Sequence, residues 1–445
     1  MHYYILTLGC AKNVADSDGI GALFEQTGYS VSPRPEDADV IVVNTCGFLQ
    51  SSRKESLAAL RELAKTKREN QVLIAAGCLI SRYGQAVKRE APGVDATIDA
   101  GRWLALPRLA EYLRSTPKDR TEDWLETAYA GLPTEQIPSR SVVARLARAP
   151  HGPSAYLKIA DGCDRPCTFC IIPAIKGAHH SKPMDDVVAE ARDLVDAGVK
   201  EVVLVAQDTT AYGWDLGMRD ALPNLIERLC QEVGGLHWLR LMYAYPGHVT
   251  PRLIETLARF PQMVHYVDVP LQHAHPETLK RMRRPNITVT RQMLTALRTA
   301  LPDLAIRTTF IVGFPGETED EFRALLDLLE EQQFDRVGVF EYSREEGTPA
   351  ALMQAQVSRQ VKARRREHAM ALQQQISLKR NEQFVGKELE VLVEGYGDGI
   401  SIARSYRDAP EVDGVILIPA QMAVGEFARV RVTRAIEYDL YGEPI

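Results

Sequence analysis

The sequence predicts an α/β protein with three parts: an N-terminal doubly wound parallel sheet, a central partial (β/α)6 barrel and a small C-terminal all-β barrel. Strand-like and helix-like segments alternate through the first two parts, which is typical of parallel sheets. The central part contains six strand–helix units, fewer than the eight of a complete barrel. The last part changes to short alternating strands between Gly, Asp and Pro turns, a pattern typical of small barrels.

The composition is typical of a soluble globular protein. The 445 residues are 45% hydrophobic and 25% charged, with a net charge of −6. This mild acidity gives no overall indication of a nucleic-acid binder. The sequence has no apolar run of about 18 residues, so it predicts no membrane span. The N-terminal residues predict a strand rather than a signal peptide. We therefore expect a cytoplasmic protein whose seven cysteines stay reduced.

The N-terminal part, residues 1–135, places a cysteine after each of its three predicted strands. The strands are YYILTL, DVIVVN and QVLIAA, and the cysteines are Cys10, Cys46 and Cys78. In a parallel sheet the carboxyl ends of the strands share one edge, where ligands usually bind. We therefore expect the three cysteines to converge. The alternative is that each is a small buried hydrophobic residue.

Residues 136–150 are predicted to be a linker, because the chain around them is rich in Pro, Ser and charge and lacks periodicity. The central part, residues 151–378, has the strand candidates AYLKIA, EVVLVAQ, WLRLMYA, YVDVPL, RTTFIVGF and RVGVFEY. Its chemistry is expected at the carboxyl ends of these strands. The stretch DGCDRPCTFCIIP lies there, directly after the first strand. Cys230, on an apolar helical face, is expected in the core.

The C-terminal part, residues 379–445, is acidic. From Gln383 to the end it has six Lys or Arg and eleven Asp or Glu, a net charge of −5. A barrel that grips RNA phosphates should be basic, so we expect this one to favour a basic protein partner. The basic run VKARRREHAM before it predicts a helix with a solvated face.

The cysteine-rich stretch suits a metal cluster with one open position. Cys163, Cys167 and Cys170 follow the spacing C-x-x-x-C-x-x-C. Three thiolates can hold three irons of a four-iron cubane and leave the fourth iron open. Catalytic zinc with three thiolate ligands is the competing interpretation.

This spacing, with Phe169 before the last cysteine and a barrel strand before the first, resembles the signature of radical S-adenosylmethionine (SAM) enzymes. The whole chain, with its cysteine-bearing N-terminal part and a TRAM-type terminal barrel, resembles the methylthiotransferases of that superfamily. Stretches such as TLGCAKNVADSD, YVDVPLQHAHPETLKRMRR, RTTFIVGFPGETEDEF and EYDLYGEP are similar to the branch that modifies ribosomal protein S-twelve. Lys176 and His180 are departures, since the family often has arginine at or near both positions.

The resemblance implies two [4Fe-4S] clusters and SAM as cofactors. The three cysteines of the central part would hold the cluster that cleaves SAM, and those of the N-terminal part an auxiliary cluster that carries the sulfur. The implied reaction transfers a methylthio group to the β-carbon of an aspartate in ribosomal protein S-twelve. The enzyme would bind this basic client either as a free protein or on the small ribosomal subunit. An electron donor protein is a further implied partner, and RNA contact stays open.

Two other functions compete with this one. A tRNA-adenosine 2-methylthiotransferase would share the cysteine motifs but tends to carry a more basic terminal barrel. A non-enzymatic, metal-binding scaffold associated with ribosomes would leave the six-unit barrel and its strand-end motifs without a purpose.

Six further residues are candidate cofactor contacts by the same resemblance. They are Phe169, Gln207, Asp208, Arg307, Ile311 and Gly313. The polar ones would face the amino and carboxylate groups of the methionine, while Ile311 and Gly313 match a strand motif that packs near adenine. The competing interpretation for each polar residue is a structural hydrogen bond at a strand end. No catalytic side chain is assigned beyond the clusters. For Gln272 and His273, site lining and loop capping are equally expected.

Overall fold

The computed structural model describes residues 1–84, 86–115, 148 and 152–445. The predicted linker, residues 136–150, lies outside the described residues except for Arg148. The chain divides into two compact units. The first contains Met1–Ala149, Lys158–Arg165 and Cys170–Asp193, and the second Pro150–Leu157, Pro166–Phe169 and Leu194–Ile445. None of the helices in the described part of the chain combines the length and apolar character that a membrane crossing needs.

The first unit contains a five-stranded parallel sheet with the order β2-β1-β3-β4-β5. The strands are β1 (His2–Thr7), β2 (Ser30–Val31), β3 (Val40–Thr45), β4 (Val72–Gly77) and β5 (Ala96–Asp99). The helices are Ala11–Gln26, Gln50–Thr66, Cys78–Tyr83, Ala86–Glu90 and Leu106–Ser115. The sequence predicts β1, β3 and β4. It misses β2 and β5, which are too short to show a clear periodicity.

Helices cover both faces of this sheet, which confirms the doubly wound prediction. Alternate residues of β3 face opposite layers. Val42 packs with Phe24 and Leu109 in one apolar cluster, and Val43 packs with Leu57 and Leu60 in the other. A central strand of this kind is buried at every position, as expected for a parallel sheet between two helical layers.

A second parallel sheet has six strands in the order β6-β9-β10-β11-β12-β13. Its strands are β6 (Ser154–Lys158), β9 (Glu201–Val205), β10 (Trp238–Leu241), β11 (Met263–Asp268), β12 (Ala305–Val312) and β13 (Arg336–Glu341). The helices around it are Met184–Asp196, Ala221–Glu232, Pro251–Arg259, Pro276–Met282, Ile287–Ala300 and Glu319–Gln332. Sheet order follows sequence order, and the sheet has edges at β6 and β13, so the predicted partial barrel is confirmed. Cys230 is buried on its helix, as expected for a core cysteine.

Between β6 and β9 the chain forms a short excursion, of which Lys158–Arg165 and Cys170–Asp193 belong to the first unit. It contains the two-residue strands β7 (Ala160–Asp161) and β8 (His180–Ser181), which pair antiparallel. The helix Ile172–Lys176 lies between them in sequence. This excursion carries the flanks of the cysteine-rich stretch.

The helix Arg359–Glu382 leads into a closed five-stranded barrel. The barrel strands are β14 (Glu388–Gly397), β15 (Ile400–Ser405), β16 (Ile416–Ile418), β17 (Phe427–Ala435) and β18 (Leu440–Pro444). The basic run on the helix is only partly solvated. Arg364 and Arg366 are exposed as predicted, but Arg365 is buried and pairs with Glu317 at 2.9 Å.

Buried ion pairs attach the closed barrel to the six-stranded sheet. Glu201 on β9 pairs with Arg240 on β10 and with Arg404 of the barrel, both at 2.6 Å. Arg407 pairs with Asp335 beside β13 at 3.1 Å. Burial by itself raises the pKa of Glu201, but the two guanidinium groups outweigh this and hold it at about 2. Separation would leave buried charges unpaired, so the barrel is fixed in place rather than loosely tethered.

Candidate functional site

Three cysteines lie at the carboxyl edge of the first sheet. Cys10 follows β1 at the N-cap position of the helix Ala11–Gln26, Cys46 follows β3, and Cys78 begins the helix after β4. Because β1, β3 and β4 are adjacent in the sheet, these strand ends meet at one edge. The structure therefore brings together the three cysteines that the strand pattern predicts to converge.

Glycines beside these cysteines permit the close approach. A Cβ on Gly9 would lie 2.9 Å from the Cβ of Cys46, and a Cβ on Gly47 would lie 2.9 Å from the carbonyl oxygen of Cys78. Any side chain at these positions would push the cysteine loops apart. The signal is present in LGC, TCG and AGC, where each cysteine has a glycine neighbour. Only the contacts show what the glycines are for.

The surroundings of these thiols make them poor free nucleophiles. Burial raises the pKa of Cys78 to about 12 and also raises the pKa of Cys46. The nearby Cys10 raises both further, while the Lys176 ammonium lowers the pKa of Cys78. A thiol with a raised pKa is a poor free nucleophile. A bound metal displaces the proton and reverses that preference.

Backbone amides point at two sulfurs of the cysteine-rich stretch. The N–H of Arg165 donates to the Sγ of Cys163, and the N–H of Ile172 donates to the Sγ of Cys170, each at 3.5 Å. The N–H of Cys163 donates to the carbonyl oxygen of Gly177 at 3.1 Å, which fixes the start of the stretch. Hydrogen bonds to cysteine sulfur favour the thiolate and influence the potential of an iron–sulfur cluster.

Gly162 is required where the two ends of this excursion meet. It has φ +77°, and an added Cβ would lie 2.6 Å from the carbonyl carbon of Ala178. We expect Gly162→Ala to destabilise the protein more than Gly177→Ala, which has a similar φ of +79° but open space around it. The positive φ costs roughly 1–3 kcal/mol in both variants, and the overlap adds roughly 1–3 kcal/mol at residue 162. Urea unfolding of the two variants checks this, and equal losses would contradict it.

In the second unit, Cys167 has an arginine partner. The Nη1 of Arg284 lies 3.7 Å from the Sγ of Cys167, and the guanidinium stacks 4.2 Å above the ring of Tyr245. Sequence reasoning did not select Arg284, although it belongs to the quoted stretch LKRMRR. Arginine runs are common on helix surfaces, so only the tertiary structure shows which member turns inward.

A buried group of four charges joins the flanks of the cysteine-rich stretch to the helix that follows Cys10. Lys158 pairs with Asp16 and, at 3.3 Å, with Asp161. Lys176 pairs with Asp16 at 3.4 Å and with Asp161 at 3.2 Å. Burial lowers the pKa of both lysines, but the two carboxylates outweigh it and the net pKa of each is raised. We call these four residues the buried quartet.

An apolar cluster makes a second connection within the first unit. Cys78 packs with Ala100, Ile171 and Ile175. Ile171 directly follows Cys170 in sequence. Residues at the edge of the N-terminal sheet and residues of the cysteine-rich stretch therefore share one apolar environment.

The predicted apolar cofactor contacts lie together in the second unit. Phe169 and Ile311 pack against a buried cluster that includes Met282, Phe314 and Tyr342. Ile311 is near the carboxyl end of β12, so this cluster covers the strand ends where barrel chemistry is expected. The grouping agrees with the predicted roles without testing them.

Gln207 and Asp208 lie just past the end of β9, after Ala206. The hydroxyl of Thr210 donates to the carboxylate of Asp208 at 2.5 Å, and the residue is buried. Asp208 is thus engaged within its own turn, which favours the structural interpretation for at least one carboxylate oxygen. Contacts of Gln207 and Asp208 with a cofactor stay a prediction.

A buried network fixes the end of β12. The N–H of Gly313 donates to the carboxylate of Glu317, which also pairs with His273 at 3.0 Å and Arg365 at 2.9 Å. Since the N–H of His275 donates to Nδ1 of His273 at 3.1 Å, the imidazole proton is on Nε2 and points at Glu317. His273 is therefore a structural residue rather than part of a cofactor-facing surface.

Gln272 extends the sheet with an unusual backbone. Its φ is +73°, its N–H donates to the carbonyl oxygen of Thr309, and its own carbonyl accepts from Ile311, both at 2.8 Å. A left-handed conformation in a residue other than glycine costs free energy and is most often kept near functional sites. Gln272 thus remains a candidate for lining the site.

The contacts of Arg307 disfavour its predicted role. Its guanidinium pairs with Asp268 at 2.9 Å and with Asp413 of the closed barrel at 3.4 Å. Two carboxylates already occupy the neighbourhood, so a methionine carboxylate placed there would meet like charges. Arg307 thus contributes to the attachment of the closed barrel, and its contact with a cofactor stays a prediction.

No group of three or more His, Cys, Asp or Glu side chains in the described part of the chain is arranged around a single metal ion.

Comparison with known families matches three regions. Residues 157–329 match the radical SAM superfamily, residues 385–445 the TRAM domain, and residues 2–99 the family described as "Uncharacterized protein family UPF0004". Among solved structures, the radical S-adenosylmethionine methyltransferase TsrM from Kitasatospora setae has a TM-score of 0.55 at 15% identity, covering 90% of this chain and 80% of that one. At that identity the likeness shows the fold alone.

Curated relatives extend the match to the full length. "Ribosomal protein uS12 methylthiotransferase RimO" from Roseiflexus sp. (strain RS-1) is 48% identical over 460 residues, covering 100% of this chain and 97% of the relative. The protein of the same name from Chloroflexus aurantiacus is 48% identical over 457 residues and covers 100% of both chains. The chain therefore belongs to the RimO family of radical SAM methylthiotransferases.

Proposed function

We propose that this chain transfers a methylthio group to the β-carbon of an aspartate in ribosomal protein uS12, the S-twelve protein. Membership of the radical SAM superfamily implies SAM and a [4Fe-4S] cluster. The second cluster, the aspartate and the client are parts of the proposal. The names of the full-length relatives and the acidic terminal barrel support the client.

The two cysteine sets would each hold a cluster. We assign the SAM-cleaving cluster to Cys163, Cys167 and Cys170, where amide and guanidinium N–H groups point at the sulfurs. We assign the auxiliary cluster to the three strand-end cysteines of the first sheet. Each set offers three thiolates, which leaves one iron of each cubane open.

One observation carries the two-cluster proposal. Cys78 of one set shares an apolar cluster with Ile171, the neighbour of Cys170 in the other set. A sulfur held at one site could be used by chemistry started at the other only if the two are close, and this packing supports such proximity. The buried quartet supports it independently, because it ties Asp16 to Lys158, Asp161 and Lys176.

The residues around the sites position reactants and exclude water. When bound, the cluster and SAM supply a radical that can abstract hydrogen from an unactivated carbon, which acid–base groups cannot do. Phe169 and Ile311, with the cluster they pack against, make an apolar cover that keeps such a site dry. The Gly313–Glu317–His273 network fixes the strand end beside them.

Charge supports a protein client. The terminal barrel region carries a net charge of −5, which attracts a basic protein and repels RNA phosphates. We further propose that the chain works in the cytoplasm, where it would meet its client free or on the small ribosomal subunit. A separate electron donor protein would deliver the electron for SAM cleavage.

The test compares uS12 from cells with and without this gene by mass spectrometry. We expect one aspartate of uS12 to carry an added methylthio group only when the gene is present. Cells that express Cys163→Ala serve as the control and should lack the modification. Unmodified uS12 together with a gene-dependent methylthio group on a tRNA adenosine would contradict the proposal.

A further inference from the structure

Arg284 is held rigidly beside Cys167 by the end of the helix Pro276–Met282. The N–H of Arg284 donates to the carbonyl oxygen of Leu279 at 2.8 Å, and the N–H of Arg283 donates to that of Lys280 at 3.1 Å. With Arg283 left-handed at φ +54°, this is a Schellman motif. The following Pro285 restricts Arg284 to an extended backbone.

The same helix end also holds the chain next to Cys167. The N–H of Thr168 donates to the carbonyl oxygen of Met282 at 3.1 Å, and its hydroxyl donates to that of Arg281 at 2.8 Å. The cysteine and the arginine are therefore fixed to one scaffold. The backbone hydrogen bonds hold the two segments that carry Cys167 and Arg284 next to each other.

Three contacts orient the guanidinium of Arg284, and they leave its Nε–H donor without a partner in the described part of the chain. It stacks on Tyr245 at 4.2 Å, its Nη2 donates to the carbonyl oxygen of Pro270, and its Nη1 lies 3.7 Å from the Sγ of Cys167. Its Nε is buried and has no hydrogen-bond partner among the described residues. A buried donor without a partner indicates a missing acceptor.

We propose that Arg284 is a positioning residue that raises the reduction potential of the cluster held by Cys167, and that its Nε donates to that cluster. The inference rests on the proposed function, since it assumes Cys167 is a ligand. Reduction adds a negative charge to the cluster, and a fixed cation with N–H···S hydrogen bonds stabilises the more negative state. Removal of the cation should therefore make the cluster harder to reduce.

The test measures the midpoint potential of the reconstituted full-length protein by EPR-monitored redox titration. Cys10, Cys46 and Cys78 are replaced with alanine throughout, so that only one cluster is titrated. We expect Arg284→Gln to lower the ratio of reduced to oxidised cluster about tenfold at a fixed potential, a shift of about 59 mV for a one-electron couple. The matched control is Arg283→Gln. Arg283 is exposed, so its replacement should leave the potential unchanged.

The outcomes separate this inference from the proposed function. If the background protein binds no cluster through its remaining cysteines, the cluster assignment fails. If it binds one and Arg284→Gln has the same potential as Arg283→Gln, the role of Arg284 is overturned. If Arg284→Gln does not load a cluster, Arg284→Met decides by the same measurement. Methionine keeps much of the side-chain volume but removes both the charge and the N–H donors, so a lowered potential supports the proposal and an unchanged one overturns it.

Discussion

Replacement of Cys10, Cys46 and Cys78 with alanine is expected to abolish methylthio transfer while SAM cleavage survives. The three cysteines lie at strand ends of the first sheet. In the sequence they are far from the cysteine-rich stretch. Their loss removes the proposed auxiliary cluster but leaves Cys163, Cys167 and Cys170 in place. Formation of 5′-deoxyadenosine and of methylthio product, assayed together, checks the division of labour.

Iron content and a second cysteine variant make this result interpretable. Each cluster contains four irons, so the wild-type protein should bind about eight irons and the triple variant about four. Cys230→Ala is the matched control, because Cys230 is also buried but lies on the helix Ala221–Glu232. It should change neither product nor iron. Loss of SAM cleavage in the triple variant, with its iron retained at half the original content, would count against separate roles.

Asp16→Asn is expected to destabilise the protein by about 3–5 kcal/mol, because it leaves buried lysine charge without compensation. Asp16 contacts both Lys158 and Lys176 in the buried quartet, and the remaining carboxylate of Asp161 cannot neutralise two ammonium groups. Urea unfolding measures the loss of free energy. Asp37→Asn is the control, since its pair with Arg34 is exposed and should matter little.

The pH dependence of this loss follows from the lysines. A raised pKa in the folded state means that the stabilisation is complete below the pKa of an unfolded lysine, about 10.4, and disappears only above it. The lysine contribution to the loss should therefore be constant from neutral pH to about pH 9. A loss that fades over that range would show that Lys158 and Lys176 are not both charged in the folded protein.

The prediction of the fold succeeded where a signal is local. Apolar runs identified β1, β3, β4 and all six strands of the partial barrel, because the burial of each strand is visible in its own residues. The two-residue β2 and four-residue β5 were missed, since segments this short have no period to detect. The basic helix run was judged by composition, which cannot show that Arg365 turns inward to Glu317.

For the site, too, the sequence predicts features that depend on local spacing but not contacts between distant residues. The spacing of Cys163, Cys167 and Cys170 and the strand-end positions of the other set are sequence properties, and both were recognised. The resemblance predicts that Arg307 faces the methionine carboxylate, and its ion-pair partners Asp268 and Asp413 come from distant parts of the chain that the motif does not include. Sequence alone does not distinguish site lining from loop capping for His273, because its partner Glu317 is 44 residues away.

The sequence by itself determined the three-part fold, the positions of two sets of three cysteines and the resemblance to a radical enzyme family, because periodicity and spacing act over short stretches of chain. Only the tertiary structure decided how these parts cooperate. It showed glycines pressed against neighbouring cysteine loops, the buried quartet, the ion pairs of Arg404 and Arg407 and the cation beside Cys167. Each is a contact between residues far apart in sequence, where burial removes water and makes the choice of partner decisive.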